Sequence, residues 1–381
     1  MTYFPLKNSS KALSLLASVC VAMVLSACSS TADKPAPTAL ADFTPKLTVS
    51  KVWSVQLSPI SAPLTSQVIG SQLALVTNDG SISVIDTLKG TESWRLALNT
   101  KIAAGIGSDG ERFAVINHAN ELITAVQGKE IWRTKLPALS FTAPLVAGGR
   151  VFVLTADRTV IAFDGASGQK LWSQQRSGDP LVLKQAGILT TFQDNLLVGL
   201  SGRLVAMNPN NGVSKWEVNM GSSRGTNEVE RLVDLVAGVS RVNQVVCARS
   251  FQTAVTCVDA VKGASVWTRA AQGHSGVTGN ENLVFGSDAD GKLLAWQRQS
   301  GQVAWQSEAY RFRGLTAPAF AAGQLLVADE QGWMHWLDSA NGQALGRLQL
   351  DASGFAMPPV RVGNTWVAVA KSGLIQAVRA E

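Results

Sequence analysis

The feature that most restricts the fold of this 381-residue chain is a tryptophan that returns at a nearly constant interval. Trp53, Trp94, Trp132, Trp172, Trp216, Trp267 and Trp305 are spaced 41, 38, 40, 44, 51 and 38 residues apart, and an eighth unit begins near Leu345. Self-similarity at this period marks a repeat fold, in which each unit needs its neighbours to bury its apolar face. The same turn precedes most of these positions: Asp86 to Gly90 to Trp94, Asp164 to Gly168 to Trp172, Asn208 to Gly212 to Trp216, and Asp259 to Gly263 to Trp267. Gln297, Gly301 and Trp305 repeat it more weakly, as do Asp338 and Gly342. The spacing is fixed because Asp or Asn caps its own turn, Gly supplies a positive φ, and Trp then falls on the next strand.

Between these landmarks lie apolar runs such as Leu73 to Thr77 and Ile82 to Ile85, or Val151 to Leu154 and Val160 to Phe163, separated by polar or Gly-containing turns. They read as hairpins. Each unit therefore holds a Trp strand and three more, which is one blade of a propeller. The last unit ends at Gly373 to Val378 without a Trp strand after it, while Trp53 opens the series with no strands before it. The first strand is thus expected to complete the last blade, which removes the open sheet edges. The expected fold is all-β: an eight-bladed β-propeller with four antiparallel strands per blade, closed by the N-terminal strand.

The N-terminus predicts an address. Lys7 and Lys11 precede an apolar stretch from Ala12 to Leu25, the layout of a secretory signal, too short to span a bilayer comfortably. Leu25-Ser26-Ala27-Cys28 resembles the bacterial lipobox, whose cysteine is lipidated and becomes the first residue of the mature chain. Residues 1–27 are then a signal peptide, 28–50 a lipidated cysteine and flexible Ser/Thr/Ala/Pro-rich tether, and 51–381 one propeller domain. Acylation would hold the chain at a membrane through the lipid alone. Ser29 after the cysteine implies, by resemblance to lipoproteins, the periplasmic leaflet of the outer membrane.

The body offers little for chemistry. Formal charge is +6, and +4 without Lys7 and Lys11, with no basic run, so a nucleic-acid partner has no electrostatic support. His118, His274 and His335 fall in different units without metal-ligand spacing. Gly105-Ile106-Gly107-Ser108-Asp109-Gly110 spells the dinucleotide fingerprint, yet Phe113 to Ile116 continues as a strand where that site needs a helix, so it reads as a hairpin turn. Ser275, in Gly-His-Ser-Gly, has no evident partners for a triad. No catalytic, cofactor or metal residue is assigned. After Cys20 and Cys28, only Cys247 and Cys257 remain, on adjoining arms of a hairpin centred near Gln252. Two readings stand: a disulfide between opposed positions, or two buried thiols on opposite faces.

The Asp-x-x-x-Gly-x-x-x-Trp unit resembles the repeat of the pyrroloquinoline-quinone dehydrogenases, which implies fold and not chemistry. A quinoprotein dehydrogenase, the enzymatic alternative, would carry a vicinal cysteine pair, and this chain has none. Lipobox, tether and eight such repeats together are similar to the BamB family of barrel-assembly lipoproteins, with Ser353-Gly354-Phe355 and Glu228-Val229-Glu230-Arg231-Leu232 as local matches. The resemblance implies a non-enzymatic scaffold of the outer-membrane barrel assembly machinery that docks on the periplasmic domains of BamA. Unfolded barrel proteins become candidate clients, taken up as added strands on exposed edges. It places the docking surface on Leu181, Leu183 and Lys184 and on Arg231 and Asp234. Lys184 stands where the family has Arg, and Val236 where a second Asp is expected, so the bidentate contact of Arg is lost. Leu181 and Leu183 have a second reading as core-facing residues of an ordinary strand, and Arg231 and Asp234 as a solvated loop. Another envelope complex is the other non-enzymatic alternative. The polar, Gly-rich excess Gly221 to Asn227, in the longest interval, marks extra loop length of the kind that serves binding.

Overall fold

The computed structural model describes residues 1–2, 35–61, 64–178, 181–222 and 232–381. Met1–Pro37 and Thr38–Glu381 form separate units, and among the described residues the strands all lie in the second. Among its described residues 32 strands make eight four-stranded antiparallel sheets. Seven are built from consecutive strands: blade 1 from Gln67 to Ala97, blade 2 from Ile102 to Lys135, blade 3 from Leu145 to Gln175 and blade 4 from Leu189 to Asn219. Blades 5, 6 and 7 run from Leu235 to Ala270, Thr278 to Ser307 and Ala319 to Gln349. The eighth joins Val360–Val362, Thr365–Val369 and Leu374–Ala380 to Val49–Gln56. Trp53 pairs with Ala377 in this closing strand, as the repeat count requires. No helix among the described residues is long and apolar enough to cross a membrane.

Burial follows position within the blade. The middle strands, such as Leu73–Val76 and Ile82–Ile85, are buried on both faces because each sheet is stacked between two others. The outer strands alternate, as in Thr91–Ala97, with Trp94 half-buried toward the next blade. The core is consequently a circle of clusters between blades. Val151, Ile161 and Phe163 of blade 3 pack against Ile116 and Leu122 of blade 2. On their other side, Phe152 and Ala162 pack against Leu196 and Val205 of blade 4.

The repeated turn serves two blades at once. Asp86 Oδ1 accepts from the backbone N–H of Leu88 and Lys89 at 2.9 and 3.2 Å, and Gly90 has φ +67°. A Cβ on Gly90 would lie 2.5 Å from the Trp53 ring of the preceding blade. Gly168, Gly212, Gly263, Gly301 and Gly342 sit in the same way against Trp132, Trp172, Trp216, Trp267 and Trp305, while at Gly128 a Cβ would lie 3.6 Å from the Trp94 ring, in ordinary contact. Trp53 Nε1 then donates to Thr87 O at 2.7 Å, and Trp132, Trp172, Trp267 and Trp305 repeat that bond to the neighbouring turn. Glycine is thus required for the turn's conformation and for the indole's seat. The Gly105–Gly110 stretch is the end of a strand and a turn between Ile102–Ser108 and Arg112–Asn117, with Asp109 capping it.

The eighth unit starts near Leu345 as the spacing predicts, in the strand Ala344–Gln349, but Gly346 stands there at the tryptophan position, opposite the fully buried Trp336, so blade 7 carries its indole one strand further in. One expectation needs correction: the tether is not free up to residue 50. From Thr38 the chain is bonded to blades 6 and 7: Thr38 N donates to Arg311 O at 3.0 Å, and Lys46 N and Leu47 N donate to Leu345 O at 2.8 and 3.0 Å. Leu47 and Val49 lie over Gly346. The closing strand begins at Val49, two residues before the expected boundary of the domain.

Candidate partner-docking site

Connections of different length lead from the outer strand of each blade to the first strand of the next. Two of them, after Gln175 and after Asn219, carry the residues singled out by resemblance. Leu181, Val182 and Leu183 form no strand, and Leu181 and Lys184 are exposed, so the core-strand reading does not apply. The structure brings Leu183 and Asp234 together: Leu183 N donates to Asp234 Oδ2 at 2.9 Å across 51 residues of sequence. Asp234 is half-buried, not a solvated loop residue. Arg231 and Glu228 to Arg231 lie outside the described residues, as does Cys28; Val236 is buried in a strand.

Neighbouring blades brace this loop. Arg158 Nη2 donates to Leu181 O at 3.1 Å, from a side chain buried at the turn between the middle strands of blade 3. Gly187 N donates to Thr142 Oγ1 at 2.9 Å, and Ala237 N to Ala186 O at 2.8 Å. Gln185 Nε2 donates to His274 O at 2.6 Å, in the connection between blades 5 and 6. The underside is a small pocket whose walls include Phe141, Leu154, Arg158, Leu183, Leu200 and Asp234. Burial pushes the Asp234 carboxyl above its usual range, against the opposing effects of the Leu183 N–H and the Arg158 charge. Arg158 was not legible as a site residue, because its partner Leu181 O is a backbone atom 23 residues away, in the connection that follows blade 3.

The arrangement suits recognition. It displays an exposed Leu and Lys on a segment pinned at several backbone positions, with a carboxylate beside them, and a pre-ordered loop loses less entropy on binding. Among the described residues no cluster of His, Cys, Asp and Glu is suited to a metal ion. Ser275 Oγ contacts Ser287 Oγ at 3.2 Å. Cys247 and Cys257 are directly paired across the hairpin, fully buried and joined by a disulfide, with Cα atoms 3.9 Å apart. Arg298 Nη1 lies 3.4 Å from Cys247 Sγ, and burial lowers the Arg298 pKa to about 10.

A family model described as outer membrane protein assembly factor BamB matches residues 78–307. The protein of that name from Burkholderia pseudomallei (strain K96243) is 30% identical over 362 residues, covering 94% of this chain and 95% of its own length. That from Bordetella pertussis (strain Tohama I) is 29% identical over 365 residues, with the same coverages. Among solved structures, BamB from Moraxella catarrhalis superposes with a TM-score of 0.79 at 21% identity, over 87% of this chain and all of that one. Quinohemoprotein alcohol dehydrogenase from Comamonas testosteroni gives 0.67 at 13% identity, over 87% and 76%, a likeness of fold alone.

Proposed function

The chain belongs to the BamB family of outer membrane protein assembly factors, and on that premise we propose that it is a non-enzymatic scaffold of the barrel assembly machinery. It docks on the periplasmic domains of BamA through Leu181, Leu183 and Lys184, with Asp234 and Arg231. A lipid on Cys28 holds it at the periplasmic face of the outer membrane, after removal of residues 1–27. The observation that carries the docking assignment is the hydrogen bond between Leu183 and Asp234, which makes one surface of two segments distant in sequence. Rigidity is the mechanism: a ring sealed at every junction presents the loop in one orientation, and the bound domains are held in the orientation the ring dictates. The outer strands leave one edge of each blade unpaired for added strands of barrel clients.

The test is a crosslinked affinity pulldown of the lipidated protein from its native envelope, repeated with Leu183→Ala and Asp234→Ala. BamA is expected with the native protein and strongly reduced with both variants, while their melting temperatures stay near native. Recovery of a different envelope complex in place of BamA would overturn the assignment. Retained BamA in both variants would move the docking surface elsewhere on the ring.

A further inference from the structure

Residues 38–48 are held to the rim of the ring by contacts unrelated to the repeat. Besides the bonds of Thr38, Lys46 and Leu47, Arg313 Nη1 donates to Thr38 O and Arg347 Nη1 to Ala41 O, both at 2.9 Å. Arg313 is itself buried and fixed by Asp329 at 2.7 Å. The Arg347 guanidinium lies 5.2 Å from the Phe43 ring and 5.5 Å from the Trp333 ring. Leu40 packs against the cluster that contains Phe285, Tyr310 and Leu325, and Leu47 against the one that contains Trp336 and Trp366. The empty indole seat at Gly346 lies where Leu47 and Val49 cross.

We propose that this segment is a latch that shortens the leash between lipid and ring, and so turns the rim of blades 6 and 7 toward the lipid surface. The inference rests on Cys28 as the anchor. Ten residues separate Cys28 from Thr38, and whatever conformation they take they reach no more than about 35 Å. Released up to Val49, the leash would be about twice as long and reach roughly 70 Å. A compact body of this length has a radius of gyration near 20 Å, and is therefore roughly 50 Å across. The latched leash forbids the ring from standing on the rim opposite blade 7, which is blade 3, whereas a released one permits it. The latch thus keeps the connections around blades 3 to 5, where the docking loop lies, on the side that faces away from the bilayer.

The orientation is read by energy transfer from a fluorophore to acceptor lipids in phosphatidylethanolamine/phosphatidylglycerol vesicles. The dye is placed through an introduced non-natural residue at Gln349 or Gln175, the last positions of the outer strands of blades 7 and 3. The mature chain is coupled through the Cys28 thiol to a maleimide lipid, while mass analysis of the N-terminal peptide from native envelopes tests the natural anchor separately. Transfer is expected to be several-fold stronger from position 349 than from 175. The double variant Leu40→Ser, Arg347→Ala is expected to reduce that ratio toward one, and so is a ten-residue Gly/Ser insertion after Ala36, which leaves the fold untouched. Equal transfer from both positions in the unaltered chain, or an unchanged ratio with the insertion, would overturn the proposal. An unmodified native N-terminus would remove the anchor and leave the latch to be judged on the coupled protein.

Discussion

Seven junctions of the ring and the eighth solve one packing problem with different chain segments. At the seven, an outer-strand tryptophan lies on the glycine of the next blade's turn. Between blades 7 and 8 that turn does not exist, because the third strand of blade 8 ends at Ala380 and the fourth begins at Val49. Gly346 replaces the tryptophan there, Trp336 supplies the indole from the neighbouring strand, and Leu47 with Val49 covers the gap. Hydrogen bonds between Thr48 and Glu381, at 2.8 and 3.0 Å, stand in for the missing turn. The difference teaches that the repeat encodes a seal, not a residue: any apolar group of the right volume suffices if the backbone brings it there.

The severest challenge to this comparison is removal of the closing strand. Deleting residues 51–57 takes Trp53 from one junction and the fourth strand from blade 8, and should lower the melting temperature sharply in circular dichroism. A melt close to native would mean the ring is not closed by its N-terminus. A smaller effect separates the two kinds of junction. Trp172→Ala should cost about 3 kcal/mol in urea unfolding, at the low end for a large aromatic because the ring is half-exposed. Leu47→Ala should cost about 2 kcal/mol, since a half-buried leucine leaves a smaller cavity. Equal costs would make the eighth junction as dependent on one side chain as the others.

The smallest effect concerns acid. Beside the latch, His335 Nε2 lies 3.0 Å from Asp329 Oδ2, and both side chains are buried. Burial lowers the His335 pKa below its ordinary value, although the Asp329 hydrogen bond opposes this. The folded protein therefore keeps the imidazole neutral where the unfolded chain accepts a proton, so stability is lost as pH falls below about 6.5 toward the folded value. Burial raises the Asp329 pKa, but hydrogen bonds from His335, Trp333 N and Arg313 outweigh it and leave it lowered. Its contribution is present above the unfolded value of about 3.9 and is lost only in stronger acid. Unfolding titrations between pH 7 and 5 should show a decline that His335→Asn flattens, at the expense of some stability at pH 7. A variant that declines as steeply as the native chain would assign the effect to another group.

The repeat was legible because its determinants are local. Asp86, Gly90 and Trp94 act within nine residues, and Cys247 and Cys257 are related by one short hairpin. Their count alone yields eight blades and the closure. The second function of each glycine was not legible, since Gly90 meets Trp53 of another unit. Nor was the path of residues 38–48, which is set by Arg313, Arg347 and Gly346, some three hundred positions away. The loop that carries Leu183 lies between these cases. Resemblance pointed to Leu183 and Asp234, but only the folded ring makes them neighbours, and Arg158 carries no signal in sequence.

The pairing of Val49–Gln56 with Leu374–Ala380 also has a consequence in time. A chain made N-terminus first presents Trp53 long before the strand that will receive it, since Gln56 pairs with Leu374. Until then the first strand has a bare edge and the last blade does not exist. Closure therefore reports that the whole chain has arrived: a prematurely ended product keeps an open sheet edge that quality-control proteases can recognise, whereas the finished ring offers them no loose end at that junction.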